Sequence, residues 1–179
     1  MRKRWWVITA LGFVVTMTAA VVAGLAFATP PAEPTAGEVV AAYDAPRGPD
    51  DPAYPRDLDL GIVPSTARFA GEEDGRRFWL GRDADSRPCL VVVIGDSELA
   101  GAACANPGIL RERGMTISVS GPGASVLAVL VSDDVDLDAV PAPWTVLGDN
   151  LLVADPSAVG GGTGLTLPRD TGPDITVPF

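Results

Sequence analysis

Outside the N-terminal thirty residues, the most apolar run is Cys89-Leu90-Val91-Val92-Val93-Ile94. Pro88 precedes it and Gly95-Asp96 follows it. A run this short and this rich in valine fits a strand buried on both faces rather than a helix. Around it the pattern is that of further strands. Thr66–Ala70 reads as a short strand, and Gly71–Gly75 as a turn cluster. Arg77–Arg82 is the return strand, with Phe78 and Leu80 on one face and Trp79 on the other. Leu99–Ala105 is a strand of small residues, suited to close packing. Met115–Ser120 alternates with period two, Gly121-Pro122-Gly123 turns the chain, and Ala124–Val131 is a second apolar strand. Trp144–Leu147 and Leu151–Ala154 flank Gly148-Asp149-Asn150 as a late hairpin. Between the strands one helix is predicted. Asn106 caps it, Pro107 suits its first position, and Gly114 suits the left-handed position after its end. Closely spaced strands with short turns give a mainly β (α+β) fold, a small antiparallel meander sheet with one short helix. That helix is too small to cover a sheet, so Trp79, Trp144 or a second layer of sheet must close the other face.

The two cysteines test the register. A reversal at Asp96-Ser97 pairs Gly95 with Glu98 and places Cys89 opposite Cys104, where directly opposed β-carbons are close enough for a disulfide. The alternative is two free cysteines acting as small core residues. A bridge closing so short a loop would contribute about 3 kcal/mol.

The ends of the chain read differently. Trp5–Ala28 carries no charge and follows Arg2-Lys3-Arg4. As a helix it would span about 36 Å, enough for a hydrocarbon core of ~30 Å. The basic tip, residues 1–4, is expected in the cytoplasm and the rest outside it, with Trp5 and Trp6 at the interface. Ala26-Phe27-Ala28 also has the form of a signal-peptide cleavage site, although the apolar run is long for one. Residues 29–65 hold eight of the 17 prolines and no sustained periodicity. They read as a semi-rigid tether reaching at most about 110 Å, with docking of Val39–Tyr43 or Leu58–Val63 as the competing reading. Residues 66–155 are the expected extracytoplasmic β domain. Residues 156–179, with Gly160–Gly164, read as a flexible tail, since a phosphate loop would need a lysine and a following helix.

Charge removes several functions. Beyond residue 4, ten arginines face all 23 acids, a net of −13. Such a surface repels phosphate backbones, so no nucleic-acid partner is expected. The chain has no histidine, which removes the usual general base and the commonest metal ligand. Two cysteines alone cannot complete a zinc site, and their spacing is not that of a redox dithiol.

Val91–Gly101, with Gly95-Asp96-Ser97 and Gly101 four residues beyond the serine, resembles the first sequence block of the SGNH hydrolases. That likeness implies Ser97 as nucleophile and Gly101 near an oxyanion hole. The family's histidine base is missing, and a hairpin turn explains the same residues. Asp134-Val-Asp-Leu-Asp138 resembles the start of a calcium loop, but Ala139 and Thr145 stand where glycine and glutamate are needed. Asp83, Asp85, Asp96 and Glu98 are the acids nearest in sequence for hydrolysis by carboxylates alone. Arg76, Arg77, Arg111 and Arg113 read as surface ion-pair partners.

Phe78-Trp79, Arg82-Asp83-Ala84-Asp85, Cys89-Leu90-Val91, Ala102-Ala103-Cys104 and Gly114 are together similar to a pattern in an uncharacterised actinobacterial family. Its members have one N-terminal membrane segment and a small outer domain. The likeness spans residues 65–131 and implies location and fold, but no activity. The expectation is a membrane-anchored, non-catalytic binding or accessory module of the cell envelope. Its partners are the bilayer, through residues 5–28, and an envelope or membrane protein, with no cofactor. The alternatives are a carboxylate hydrolase and a form secreted after cleavage at Ala28. A sensor is disfavoured, because four cytoplasmic residues leave nothing to signal with.

Overall fold

Four strands form the first sheet: β1 (Arg68–Glu73), β2 (Arg76–Arg82), β3 (Pro88–Ile94) and β4 (Leu99–Cys104), paired antiparallel in chain order. The computed structural model describes residues 32–55, 57–95, 99–138, 140–160 and 164–179. The expected membrane segment at 5–28 and its basic tip lie outside these residues. Among the described residues no helix is long and apolar enough to cross a membrane.

Local chemistry sets the register. Asp74 and Gly75 both have positive φ (48° and 73°), which a two-residue type I′ hairpin turn requires. β1 therefore runs further than expected, to Glu73. An extra residue, Ala70, bulges β1 between the Phe69–Trp79 and Gly71–Phe78 pairs. β3 pairs with β4 from Cys89–Cys104 to Ile94–Leu99, the register predicted from a two-residue turn. Leu90 and Val92 point to one face of β3, and Cys89, Val91 and Val93 to the other. All five are fully buried. The central strand is thus covered on both sides, as its unbroken apolar run implies.

After β4, the helix α2 (Pro107–Arg113) follows α1 (Ala36–Val39) in chain order and ends at Gly114, whose φ is 68°. A β-carbon at Gly114 would lie 2.9 Å from the Leu130 carbonyl oxygen, so glycine is needed there for two reasons. Asn106 occupies the cap position as predicted, although its side chain makes no capping bond. The second sheet has the order β5 (Met115–Gly121), β6 (Ala124–Leu130), β8 (Leu151–Ala154), β7 (Thr145–Leu147). The late hairpin is the predicted one, with Trp144 just outside it.

The two sheets pack face to face, so a second layer of sheet closes the core rather than a tryptophan. Phe78, Leu80, Leu90 and Val92 from one meet Ile117, Val126, Leu130 and Val153 from the other. β4 runs beside β5 at close range. A β-carbon at Gly101 would approach Val119 Cγ2 to 2.9 Å, which is why this strand is built of small residues. At the opposite side β1 passes near β7. No ladder joins either pair of neighbours among the described residues.

Both chain ends correct the sequence reading. From Ala32 onward the expected tether belongs to the same unit as the sheets, which extends from Ala32 to Phe179 rather than over 66–155. α1 opens with a capping box, Thr35 and Glu38 bonding each other's backbone N–H. Val39, Val40 and Tyr43 enter the main core, and the Tyr43 hydroxyl donates to the Cys89 carbonyl oxygen at 3.2 Å. Further along, Tyr54 and Ile62 lie over the outer face of the first sheet against Trp79 and Val91. Apolar burial outweighs proline content here: several large side chains at up to about 3 kcal/mol each hold the segment down.

The expected tail at 156–179 carries a third short helix, α3 (Pro156–Val159), and a hairpin of β9 (Leu165–Leu167) and β10 (Ile175–Val177). Leu165, Leu167, Ile175 and Val177 are buried against Val129, Val131 and Leu152 on the outer face of the second sheet. The mainly β, antiparallel class therefore stands, but with two four-stranded sheets and a hairpin instead of one small meander. Three short α-helices are present among the described residues instead of one.

Candidate functional site

Cys89 and Cys104 form the expected disulfide, with S–S 2.01 Å. The Ala105 N–H donates to the Pro88 carbonyl at 3.1 Å, so the next pair inward, Cys89–Cys104, is a non-hydrogen-bonded one. Those are the pairs in which opposed residues come closest, here 4.0 Å between α-carbons. The Asp83 carboxylate lies within 4.8 Å of both sulfurs. With the sulfurs bonded to each other, this group offers no thiolate to a metal.

Of the two described acids singled out for hydrolysis, Asp83 is the more constrained. Its carboxylate accepts from the backbone N–H of Asp85 (3.0 Å) and of Arg87 (2.9 Å) and from Arg87 Nε (2.7 Å). Burial alone would raise its pKa, but these hydrogen bonds and the Arg87 charge outweigh it and hold the group below the usual carboxylate range. Asp85 is exposed, with Arg87 3.8 Å away. The Asp83–Asp85 pair thus closes a turn around an arginine. Asp96, Ser97 and Glu98 lie outside the described residues, so the SGNH-like block and the second acid pair have no geometry to set against it.

The Asp134–Asp138 loop does not gather its acids as a calcium loop would. Asp134 accepts from Ser132 Oγ (2.5 Å) and pairs with Arg169 at 3.6 Å. Asp136 accepts from the Asp138 N–H. The preceding Asp133 takes the Ala41 N–H (2.9 Å) and Asn150 Nδ2 (2.7 Å). Arg169 also reaches the Arg111 carbonyl oxygen and Ser132. The segment is a junction that ties the N-terminal helix, the β7–β8 turn, α2 and the C-terminal hairpin together. No local pattern marks it, because the contacts to Ala41, Asn150, Arg111 and Arg169 join segments distant along the chain.

The concave site that sequence reasoning missed lies where β1 passes β7. The bulge at Ala70 falls there, and the sheets part around a hollow of about 180 Å³. Its floor is apolar, with Leu80, Leu130 and Leu151 beneath and Phe69 and Leu147 beside. At its mouth stand Asp51, Arg68 and Asp149. The Arg68 guanidinium is turned to the backbone carbonyls of Ala45, Ser65 and Ala67. Asp149, at the tip of the β7–β8 turn, also borders two adjoining hollows. One carries Asp136, Asp138 and Asp170 around Val146, and the other carries Ala41, Ala42 and Asp133.

Of the two tryptophans considered for closing the sheet, Trp79 is buried, edge-on to Tyr54 and Phe69. Trp144 is half-buried and rests on Phe179 with ring centroids 5.5 Å apart. Val146, two residues on, is exposed. Fold and site together define a disulfide-pinned, two-sheet antiparallel β module with an acidic, grooved face. No family model, no curated protein and no solved structure matches the chain.

Proposed function

We propose that this chain is a membrane-anchored, extracytoplasmic binding module that holds an envelope or membrane protein rather than transforming a substrate. The observation that carries the reading is the Cys89–Cys104 cross-strand disulfide. Such a bond persists outside the cytosol, and the basic tip followed by an uncharged stretch at 5–28 supplies the anchor and its orientation. Two further features support binding over catalysis. Asp83, one of the two described acids of that group, is committed to Arg87 and its own turn. The face around Asp149 combines a hollow backed by core leucines with an exposed Val146. Exposed apolar surface rimmed by polar groups marks protein contacts.

The test is chemical cross-linking of the full-length protein in its native membrane, with mass spectrometric identification of what is captured and through which residues. Recovery of one recurrent envelope protein, linked to the described domain, is expected. Cross-links confined to the chain itself, at every cross-linker length, would remove the reading.

A further inference from the structure

We infer that the groove between β1 and β7 receives one large apolar side chain from a partner polypeptide whose flanking residues are lysine or arginine. The inference rests on the binding-module reading and adds where the contact is made and the chemistry of what makes it.

Size decides the first part. Pockets for drug-sized ligands and cofactors run from ~300 to 1,000 Å³, whereas an apolar cavity of about 150 Å³ holds a benzene ring. At about 180 Å³, the groove suits a single phenylalanine- or leucine-sized group. The groove also has a structural cause. β1 and β7 are the outer strands of their sheets and share no ladder. The Ala70 bulge falls where β1 passes β7, so the wall thins there over the buried Leu80, Leu130 and Leu151 of the main core.

Charge decides the second part. Asp51 and Asp149 flank the mouth, and Asp136, Asp138 and Asp170 line the next hollow around the turn. Among the described residues, the carboxylates of Asp138, Asp149 and Asp170 accept no hydrogen bond and join no ion pair. Among the described residues the one cation lining the groove, Arg68, is turned to backbone carbonyls. A divalent metal would need several oxygens at ~2.3–2.6 Å from one point. Among the described residues, the only group of three acidic or cysteine ligand atoms within 4.8 Å of one another is at Asp83, Cys89 and Cys104, elsewhere in the fold. The acids at the groove are spread out instead, which suits several separate cations carried along a peptide. Nucleic acid and anionic lipid are both repelled by the same charge.

The experiment uses the full chain in nanodiscs of neutral lipid, with empty discs as control. The probe is a fluorescent pentapeptide with one phenylalanine between two pairs of lysines, followed by anisotropy. Saturable binding is expected. Replacing the peptide's phenylalanine by alanine should weaken it at least about tenfold, the factor for burying one such side chain. Replacing its lysines by glutamates should abolish it. Asp149→Asn, at an exposed turn, should weaken binding about two- to fivefold and flatten its salt dependence. Ala42→Trp, at a position that lines both the groove and the adjoining hollow, should compete with the phenylalanine; its thermal unfolding is checked alongside. Equal binding of the phenylalanine and alanine peptides would reduce the surface to diffuse negative charge and overturn the inference. So would stoichiometric displacement of the probe by calcium, indifference to Asp149→Asn, or no saturable binding. If the probe fails while cross-linking still captures an envelope protein through another face, only this inference falls; if both fail, the module reading falls with it.

Discussion

Leu167→Ala separates a structural C-terminal segment from an ornamental one. Leu167 sits in β9 with 1% of its surface exposed, against Val129 and Leu152 of the second sheet. The substitution removes three carbon groups from a site with no solvent access. At about 0.8 kcal/mol per group, the transfer loss is about 2.4 kcal/mol, before any cavity left behind is counted. Leucine-to-alanine changes in cores cost about 2–5 kcal/mol, so a value near 3 kcal/mol is expected. That is a large fraction of the roughly 5–15 kcal/mol that holds a typical domain together. The neighbouring Thr166 is exposed, with its hydroxyl 3.2 Å from that of Thr176 across the hairpin. Thr166→Ala is the matched control and should stay within about 0.5 kcal/mol. Urea unfolding followed by circular dichroism and tryptophan fluorescence reads both. The Leu167→Ala midpoint should fall by about 1–2 M with the slope unchanged. Coincident midpoints for the two variants would refute the packing of this hairpin on the second sheet.

Three other outcomes are expected. Replacing both cysteines by alanine should cost about 3 kcal/mol, because the bridge closes a separation of 15 residues; the same loss should appear in wild type unfolded under reductant. Carboxyl NMR should show Asp83 titrating below the ordinary aspartate range, and Arg87→Ala should move it upward. Since the folded pKa is the lower one, the stability Asp83 contributes is present above its unfolded value near ~4 and is lost as pH falls through the folded value. Arg169→Ala should destabilise by about 1.5–3 kcal/mol, the range for hydrogen bonds to a charged group, because it unties Ser132, Asp134 and the Arg111 carbonyl together; differential scanning calorimetry measures it.

What the sequence made legible was the part governed by short-range periodicity. The run at 89–94, the alternation at 115–120 and the Cys89–Cys104 register all follow from counting along the chain, and the pairing obeys the count. The placement of Phe78 and Leu80 opposite Trp79 likewise needs only a period of two. The ends failed for a common reason: proline and glycine density masked weaker apolar signals. Thr35-Ala-Gly-Glu38 before Val39-Val40 is a capping-box pattern, and it was submerged in a proline-rich stretch. Leu165-Thr-Leu167 and Ile175-Thr-Val177 each alternate, but only over three residues, too few to stand out beside Gly160–Gly164. The groove and the Arg169 junction were beyond reach in another way. Each arises where segments distant in sequence meet, and no local pattern encodes which segments those are.

The hairpin over the second sheet comes after every other element in chain order. A chain still being made would therefore leave Val129, Val131 and Leu152 bare until residue 177 has arrived. A product clipped before Leu165 would keep that greasy panel permanently on view, inviting proteases and self-association. The hairpin thus acts as the cover that makes the particle presentable.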